Sequence, residues 1–273
     1  MAGGKVTVKT LAAMRKRGEK IVALTAYDYH TARMEQQAGV HVILVGDSFQ
    51  MAVLGEDTTL GATVDVLIAH CRAVRKGAPD ALVVGDMPFG SYQPSDETAV
   101  ASAVRFIAEA GVDAVKLEGG NDAAVSRVRA IVSAGIPVMG HIGLLPQSIR
   151  TEGSYRVVRS DSEEMLLQQT KDLEEAGAFS MVLEMIEEDL ADRISQASSI
   201  PTIGIGAGRY THGQILVVND MLGINRAFNP KFLRKYADLN SVMEKAIESY
   251  AGDVAGGVFP GEENVFKGRG KTR

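Results

Sequence analysis

The 273-residue sequence predicts a (β/α)8 TIM barrel. Eight short runs rich in Val, Ile and Leu recur along it, each followed by a stretch with helical patterning. The runs are continuously apolar, as parallel strands buried on both faces are, rather than alternating. The phrase Glu-Ala-Gly stands directly before a strand at Glu109–Gly111 and again at Glu175–Gly177. Eight such units in roughly 250 residues suit a closed barrel, whereas a doubly wound open sheet would not need eight similar units. Residues 1–273 are expected to form a single barrel domain with a short N-terminal extension and a flexible tail, Gly-rich from Gly252 and basic at its end.

Taken in order, the strands fall in KIVALTAYD (Lys20–Asp28), HVILVGDS (His41–Ser48), ALVVGDMP (Ala81–Pro88) and VDAVKLEGG (Val112–Gly120). They continue in IPVMGHIGL (Ile136–Leu144), FSMVLEMI (Phe179–Ile186), IPTIGIGAG (Ile200–Gly208) and ILVVND (Ile215–Asp220). Between the third and fourth, Val100, Val104 and Ile107 share a helical spacing, and Gly111 stands where a C-cap glycine belongs. Between the fifth and sixth, Asp161 or Ser162 can cap a helix with Leu166 and Leu173 on one face and Gly177 at its end. Two segments exceed the strand–helix beat: Met51–Thr63 after strand two and Pro146–Ser160 after strand five. Both follow the C-terminal ends of strands, the catalytic face of a barrel, where long loops line a site.

The bulk composition narrows the partners. A net charge of −5 and the lack of Trp argue against a nucleic-acid surface, which needs a basic footprint and stacking rings. Cys71 is the sole cysteine, so neither a disulfide nor a Cys-rich zinc site is available, and a cytoplasmic location fits. Beside His70 in a helical stretch, Cys71 reads as a packing residue. No stretch suits a signal peptide, and none approaches ~18 uninterrupted apolar residues, so no membrane span is expected.

The strand ends carry the chemistry. Asp47 and Ser48 end strand two, Asp86 strand three, Lys116 and Glu118 strand four, His141 strand five and Glu184 strand six. A strand-end Asp can equally cap the next helix, yet two occur in the same Val-Gly-Asp context. Lys116 and Glu118 share strand parity, and burying them is costly unless they are paired or functional. A plain ion pair is the simpler account of the two, and His141 alone would read as a core histidine. Glu184 has no basic neighbour in sequence, so its partner must come from elsewhere in the fold.

Taken together, Asp47, Asp86 and Glu118 form an oxygen-donor set suited to Mg²⁺. No His or Cys set stands at zinc spacing. Such a cation can chelate a 2-oxo acid and stabilise its enolate, with Lys116 neutralising charge. Glu184, outside the metal set, is free to act as the base, its apolar sequence neighbours raising its pKa. The Ile203–Gly208 stretch IGIGAG also resembles a phosphate-cradling loop, although glycines there can simply permit a tight turn.

The motifs TAYD (Thr25–Asp28), VGDS…GDMPFGSYQ, VKLEGG, PVMGHIGLLPQS and IPTIGIGAG…GQILVVNDMLG resemble the 3-methyl-2-oxobutanoate (ketopantoate) hydroxymethyltransferase family from about Thr7 to Phe266. The resemblance implies a barrel of the phosphoenolpyruvate/pyruvate type and a homodecamer of two stacked pentameric rings. It implies transfer of a hydroxymethyl group from 5,10-methylenetetrahydrofolate to 3-methyl-2-oxobutanoate, giving 2-dehydropantoate in pantothenate synthesis. The family's metal ligands fall on Asp47, Asp86 and Glu118, its substrate contacts on Asp47, Ser48, Asp86 and Lys116, and its proton acceptor on Glu184; His141 matches its histidine near the substrate. Three stretches depart from the usual family pattern: GSYRVVRS (Gly153–Ser160), Thr211-His212, and FPGEEN with Asn264. Two alternatives stand beside this reading: another Mg-dependent 2-oxo acid aldolase or lyase of the same barrel type, and a catalytically silent paralogue acting in assembly or binding.

Overall fold

A computed structural model describes residues 4–152, 156–226 and 228–267. The last six positions of the basic tail and part of the Gly153–Ser160 stretch lie outside the described residues. Helix α1 (Val8–Lys16) opens with a capping box between Thr7 and Thr10, which satisfies backbone N–H groups that a first turn leaves free. It is followed by β1 (Ile21–Thr25), α2 (Tyr29–Gln37), β2 (Val42–Val45), the single turn α3 (Phe49–Ala52) and α4 (Val64–Gly77). Next come β3 (Leu82–Asp86), α5 (Asp96–Arg105, continued by a wider turn at Phe106–Ala110), β4 (Ala114–Lys116) and α6 (Asp122–Ser133). The chain continues through β5 (Val138–Gly143), α7 (Ile149–Glu152), α8 (Glu163–Glu175), β6 (Ser180–Glu184), α9 (Glu188–Ala197), β7 (Thr202–Ile205) and β8 (Gly213–Leu216). It ends in α10 (Val218–Met221) and α11 (Leu239–Ala255).

All eight strands are parallel, each pairs with the next, and β1 pairs with β8, closing the barrel. Its interior is packed with one residue in two from each strand: Ile21 and Ala23, Val42 and Leu44, Leu82 and Val84, Ala114, Met139, Val182, Ile203 and Ile215. Leu11 and Met14 of α1 join the same cluster. The N-terminal half of the barrel is therefore a filled core, and functional side chains must sit beyond it.

Four sequence expectations need correction. First, α5 buries Ala99 and Ala103, continued by Phe106 and Ala110, and leaves Val104 exposed. The stripe is displaced by one residue because the helix lies against Gly85, where a Cβ would come within 2.6 Å of Phe106, so small residues face the sheet. Second, neither Asp161 nor Ser162 makes a side-chain cap to α8; a turn of 3-10 helix at Ser160–Ser162 leads into it instead. Third, the eighth strand occupies Gly213–Leu216 rather than Ile215–Asp220. The Val218 N–H donates to the Thr25 hydroxyl (3.1 Å), which takes the chain off the sheet into α10.

Fourth, the seventh unit has no helix. Residues 206–212 return directly from β7 to the start of β8. The Thr211 hydroxyl donates to the Gly213 carbonyl, and the His212 Nδ1 bonds to the Thr202 hydroxyl (2.8 Å), tying the return to the foot of β7. The Arg209 N–H donates to Glu188, so a carboxylate of the chain itself meets this Gly-rich loop. Its glycines therefore serve the turn.

The chain divides into two compact units. One runs through Val218 and takes in Pro230–Leu233; the other comprises Asn219–Asn229 and the residues from Arg234 onward. The first holds the barrel. The second contains α11, N-capped by Asp238 through the Ser241 N–H. Among the described residues no helix is long and apolar enough to cross a membrane.

Candidate active site

The inward rows that fill the core turn polar at their C-terminal ends. Val84 is followed two residues on by Asp86, Ala114 by Lys116 and then Glu118, Met139 by His141, and Val182 by Glu184. Strand periodicity alone carries these side chains to the barrel mouth. Asp47 breaks the period, because the inward row of β2 runs through Val42 and Leu44 to Gly46. A tight turn after Val45 brings Asp47 inward, and its N–H donates to Asp86 Oδ2 (3.2 Å).

The buried polar groups are bound into one network. Lys116 Nζ donates to Asp86 Oδ1 (2.6 Å) and lies 3.9 Å from Glu118 Oε1. His141 Nδ1 stands 3.5 Å from Glu118 and Nε2 3.2 Å from Glu184 Oε2. At these positions neither ring nitrogen meets good hydrogen-bond geometry, so the attraction is one of charge. Glu184 thus has its basic neighbour on β5, the strand beside its own. Its surroundings are not purely apolar: it faces His141, and its side chain keeps 20% exposure.

The electrostatics follow from burial and crowding. Burial, reinforced by Asp86 and Glu118, raises the pKa of Asp47 well above its ordinary value. Burial raises that of Asp86 too, against the pull of Lys116. For Glu118, burial is outweighed by His141 and Lys116, and its pKa falls. For Lys116, burial is outweighed by the three carboxylates, which keep its ammonium charged. For His141, burial is likewise overcome by Glu118 and Glu184, and its pKa rises to about 9.

Were all four carboxyls ionised they would outnumber the two cationic side chains, and the raised pKa values of Asp47 and Asp86 express the cost of that charge in a poorly solvated place. A hard divalent cation suits that excess and this set of oxygen donors. Among the described residues no three His, Cys, Asp or Glu stand together at metal-holding geometry. An ion held by Asp47, Asp86 and Glu118 would need substrate and water to complete its coordination.

The structure adds residues that the strand ends did not reveal. Gln147, on the 3-10 turn Pro146–Ser148 after β5, is buried and reaches both Asp47 and Glu118. Tyr92, in the loop between β3 and α5, contacts Gln147 and the Glu118 backbone. The Ser48 hydroxyl bonds to the Tyr27 hydroxyl (2.9 Å), which accepts from Thr25. Their sequence signal was faint: Tyr27, Tyr92 and Gln147 lie inside the quoted motifs but on turns, where no periodicity singles them out.

Comparison with known proteins decides the family. A family model for ketopantoate hydroxymethyltransferase matches residues 5–262. The chain belongs to the ketopantoate hydroxymethyltransferase family. It is 52% identical over 267 residues to the 3-methyl-2-oxobutanoate hydroxymethyltransferase of Prosthecochloris aestuarii, covering 96% of each chain. It is 50% identical over 264 residues to the enzyme of that name from Syntrophomonas wolfei, covering 96% of this chain and 95% of the relative. As a ketopantoate hydroxymethyltransferase family member, it is a transferase.

Solved structures extend the likeness of fold beyond the family. A phosphonopyruvate hydrolase, solved in complex with oxalate and Mg²⁺, superposes with a TM-score of 0.62 at 12% identity, covering 95% of this chain and 91% of that one. A 2,3-dimethylmalate lyase of the PEP mutase/isocitrate lyase superfamily gives 0.62 at 18% identity, covering 91% and 89%. At such identities the shared property is the barrel, and the ketopantoate hydroxymethyltransferase match rests on the sequence relatives.

Proposed function

We propose that the protein transfers a hydroxymethyl group from 5,10-methylenetetrahydrofolate to 3-methyl-2-oxobutanoate, giving 2-dehydropantoate in pantothenate synthesis. The observation that carries this reading is the joining of a candidate base, Glu184, to a buried carboxylate cluster through His141, in a chain matched to the family over nearly its full length. Asp47, Asp86 and Glu118 would hold Mg²⁺, which supplies a Lewis acid that polarises the keto acid and eases loss of its C3 proton.

The remaining roles belong to the chain. Glu184 accepts the C3 proton, and His141, cationic at neutral pH, keeps the Glu184 carboxylate oriented. Lys116, held by Asp86, offsets the negative charge that develops on the keto acid. Ser48, tethered to Tyr27, borders the Asp47 side where the substrate carboxylate would lie. The methylene carbon then exchanges its two bonds to folate nitrogens for one to C3 and one to a water-derived oxygen, and the C3 proton and one proton of the water pass to the two nitrogens. The barrel core below the site leaves the mouth as the route of entry. For assembly we carry forward the homodecamer of two pentameric rings, and for location the cytoplasm, on family membership.

Proton exchange tests the reading. With Mg²⁺ and 3-methyl-2-oxobutanoate in D₂O, the C3 proton signal should disappear in the NMR spectrum, and methylenetetrahydrofolate should then yield product. Neither exchange nor product would sink it. Exchange without product would favour a different Mg-dependent 2-oxo acid aldolase or lyase. Glu184→Gln should abolish exchange while Mg²⁺ and keto-acid binding persist; normal exchange would remove Glu184 as the base.

A further inference from the structure

Gln147 occupies an unusual place for a residue on a loop. It is 4% exposed, and every hydrogen-bonding position of its side chain is used. Nε2 donates to Asp47 Oδ2 (2.9 Å) and to the Met87 carbonyl (3.0 Å). Oε1 accepts from the Tyr92 hydroxyl (2.8 Å) and from Gln93 Nε2 (3.1 Å). Its backbone N–H donates to Glu118 Oε2 (3.0 Å).

The partners fix which way the amide points. The Met87 carbonyl can only accept, so the nitrogen must face it. The Tyr92 hydroxyl accepts from the Glu118 N–H (3.2 Å), and its hydrogen has Gln147 Oε1 (2.8 Å) as a nearer acceptor than the Glu118 carbonyl (3.3 Å). A carboxylate in place of this amide would turn an oxygen toward the Met87 carbonyl and the Asp47 carboxylate. A residue without a polar end would release Asp47 Oδ2 toward Asp86 and strand the Tyr92 hydroxyl.

We propose that Gln147 is the positioning residue of the carboxylate cluster: one neutral side chain that holds Asp47, while its own backbone holds Glu118, beside the place where a shared divalent cation would sit. The inference rests on the proposed reading of those carboxylates as cation ligands. Gln147 bonds to one oxygen of each, Asp47 Oδ2 and Glu118 Oε2, and leaves Asp47 Oδ1 to a ligand, while Glu118 Oε1 faces Lys116 and His141. Being uncharged, it opposes the mutual repulsion of the carboxylates without cancelling the negative charge that attracts the cation. It also ties β2, β4 and the loop after β3 to the first turn after β5, so the site is held together by a residue from the loop that rims it.

The test is Mg²⁺ titration by calorimetry of the folded protein without the folate substrate. Outer partners of metal ligands commonly contribute 10–100-fold in affinity. Gln147→Ala and Gln147→Glu should weaken Mg²⁺ by roughly that factor and raise KM for 3-methyl-2-oxobutanoate more than they lower kcat. Tyr92→Phe, which keeps the amide but removes the hydroxyl that orients it, should weaken Mg²⁺ by a few-fold, and it keeps the test open if the Gln147 variants do not fold. A role confined to stability would lower the melting temperature and leave Mg²⁺ affinity within twofold of wild type, which would overturn the proposal. Wild-type protein that fails to bind Mg²⁺ would overturn the functional reading with it, whereas normal binding by the variants would overturn this inference alone.

Discussion

Glu35, in α2, is buried with both carboxyl oxygens lacking a hydrogen-bond partner. Burial, reinforced by Asp28, pushes its pKa up to about 8 from the ordinary 4.5. The folded chain thus keeps a proton that the unfolded chain releases. Its contribution is full below about pH 4.5, falls as the pH rises, and is lost by about pH 8. Urea denaturation at pH 5 and pH 8 should show Glu35→Leu raising stability by roughly 1–3 kcal/mol, with the gain concentrated at the higher pH. An equal effect at both pH values would contradict the assignment. The same scale shows what a sequence conceals. Lys116 and Glu118 could be placed on one face because strand parity is local. The partner of Gln147 lies 100 positions away at Asp47, and no local pattern announces it. Glu35 likewise sits in an ordinary polar helix pattern, and only the folded packing makes it a buried acid.

Elements carry the site by close approach of backbone. Gly143 ends β5 at a φ of +100°, and a Cβ there would lie 2.2 Å from the Glu184 carbonyl of β6. The obstacle is backbone and cannot swing aside. Gly143→Ala should cost about 2–4 kcal/mol in a denaturation curve and lower the rate of C3 proton exchange, because the strain falls on the strand that presents Glu184. Unchanged exchange in the folded variant would show that the end of β6 tolerates displacement. Element identity was legible where apolar runs and glycine stops were strong, and Gly111 and Gly177 do end their helices. Which face of α5 turns inward was not, since Val100 and Val104 are the more apolar choice by composition. Space decides it: Phe106 already fills the room over Gly85, and alanines are what can approach beside it. The missing helix after β7 escaped for a related reason. GRYTHGQ has no helical period, but its direct return depends on His212 and Thr202 meeting across the turn.

At the scale of the whole molecule, the (β/α)8 order was readable because eight buried strands leave eight apolar runs, while the barrel's closure was an inference from their number. The charge balance of the finished site has a thermodynamic counterpart. If its excess of carboxylate charge attracts Mg²⁺ in the folded state alone, the melting temperature should rise with Mg²⁺ and return on chelation. The gain approaches about 2.7 kcal/mol when free Mg²⁺ is a hundred times its Kd. Na⁺ at matched ionic strength should not reproduce it, and equal shifts with both ions would point to general screening.

The seam between β1 and β8 has a consequence in time. Ile21 pairs with Gly213, so the first strand made waits for the last. A ribosome adding 5–20 residues per second leaves one edge of β1 without its partner for about ten seconds or more. Over that interval β1 is an open edge of a growing sheet, able to pair with the strands of a neighbouring nascent chain. The direct return from β7 shortens the wait by the length of one helix.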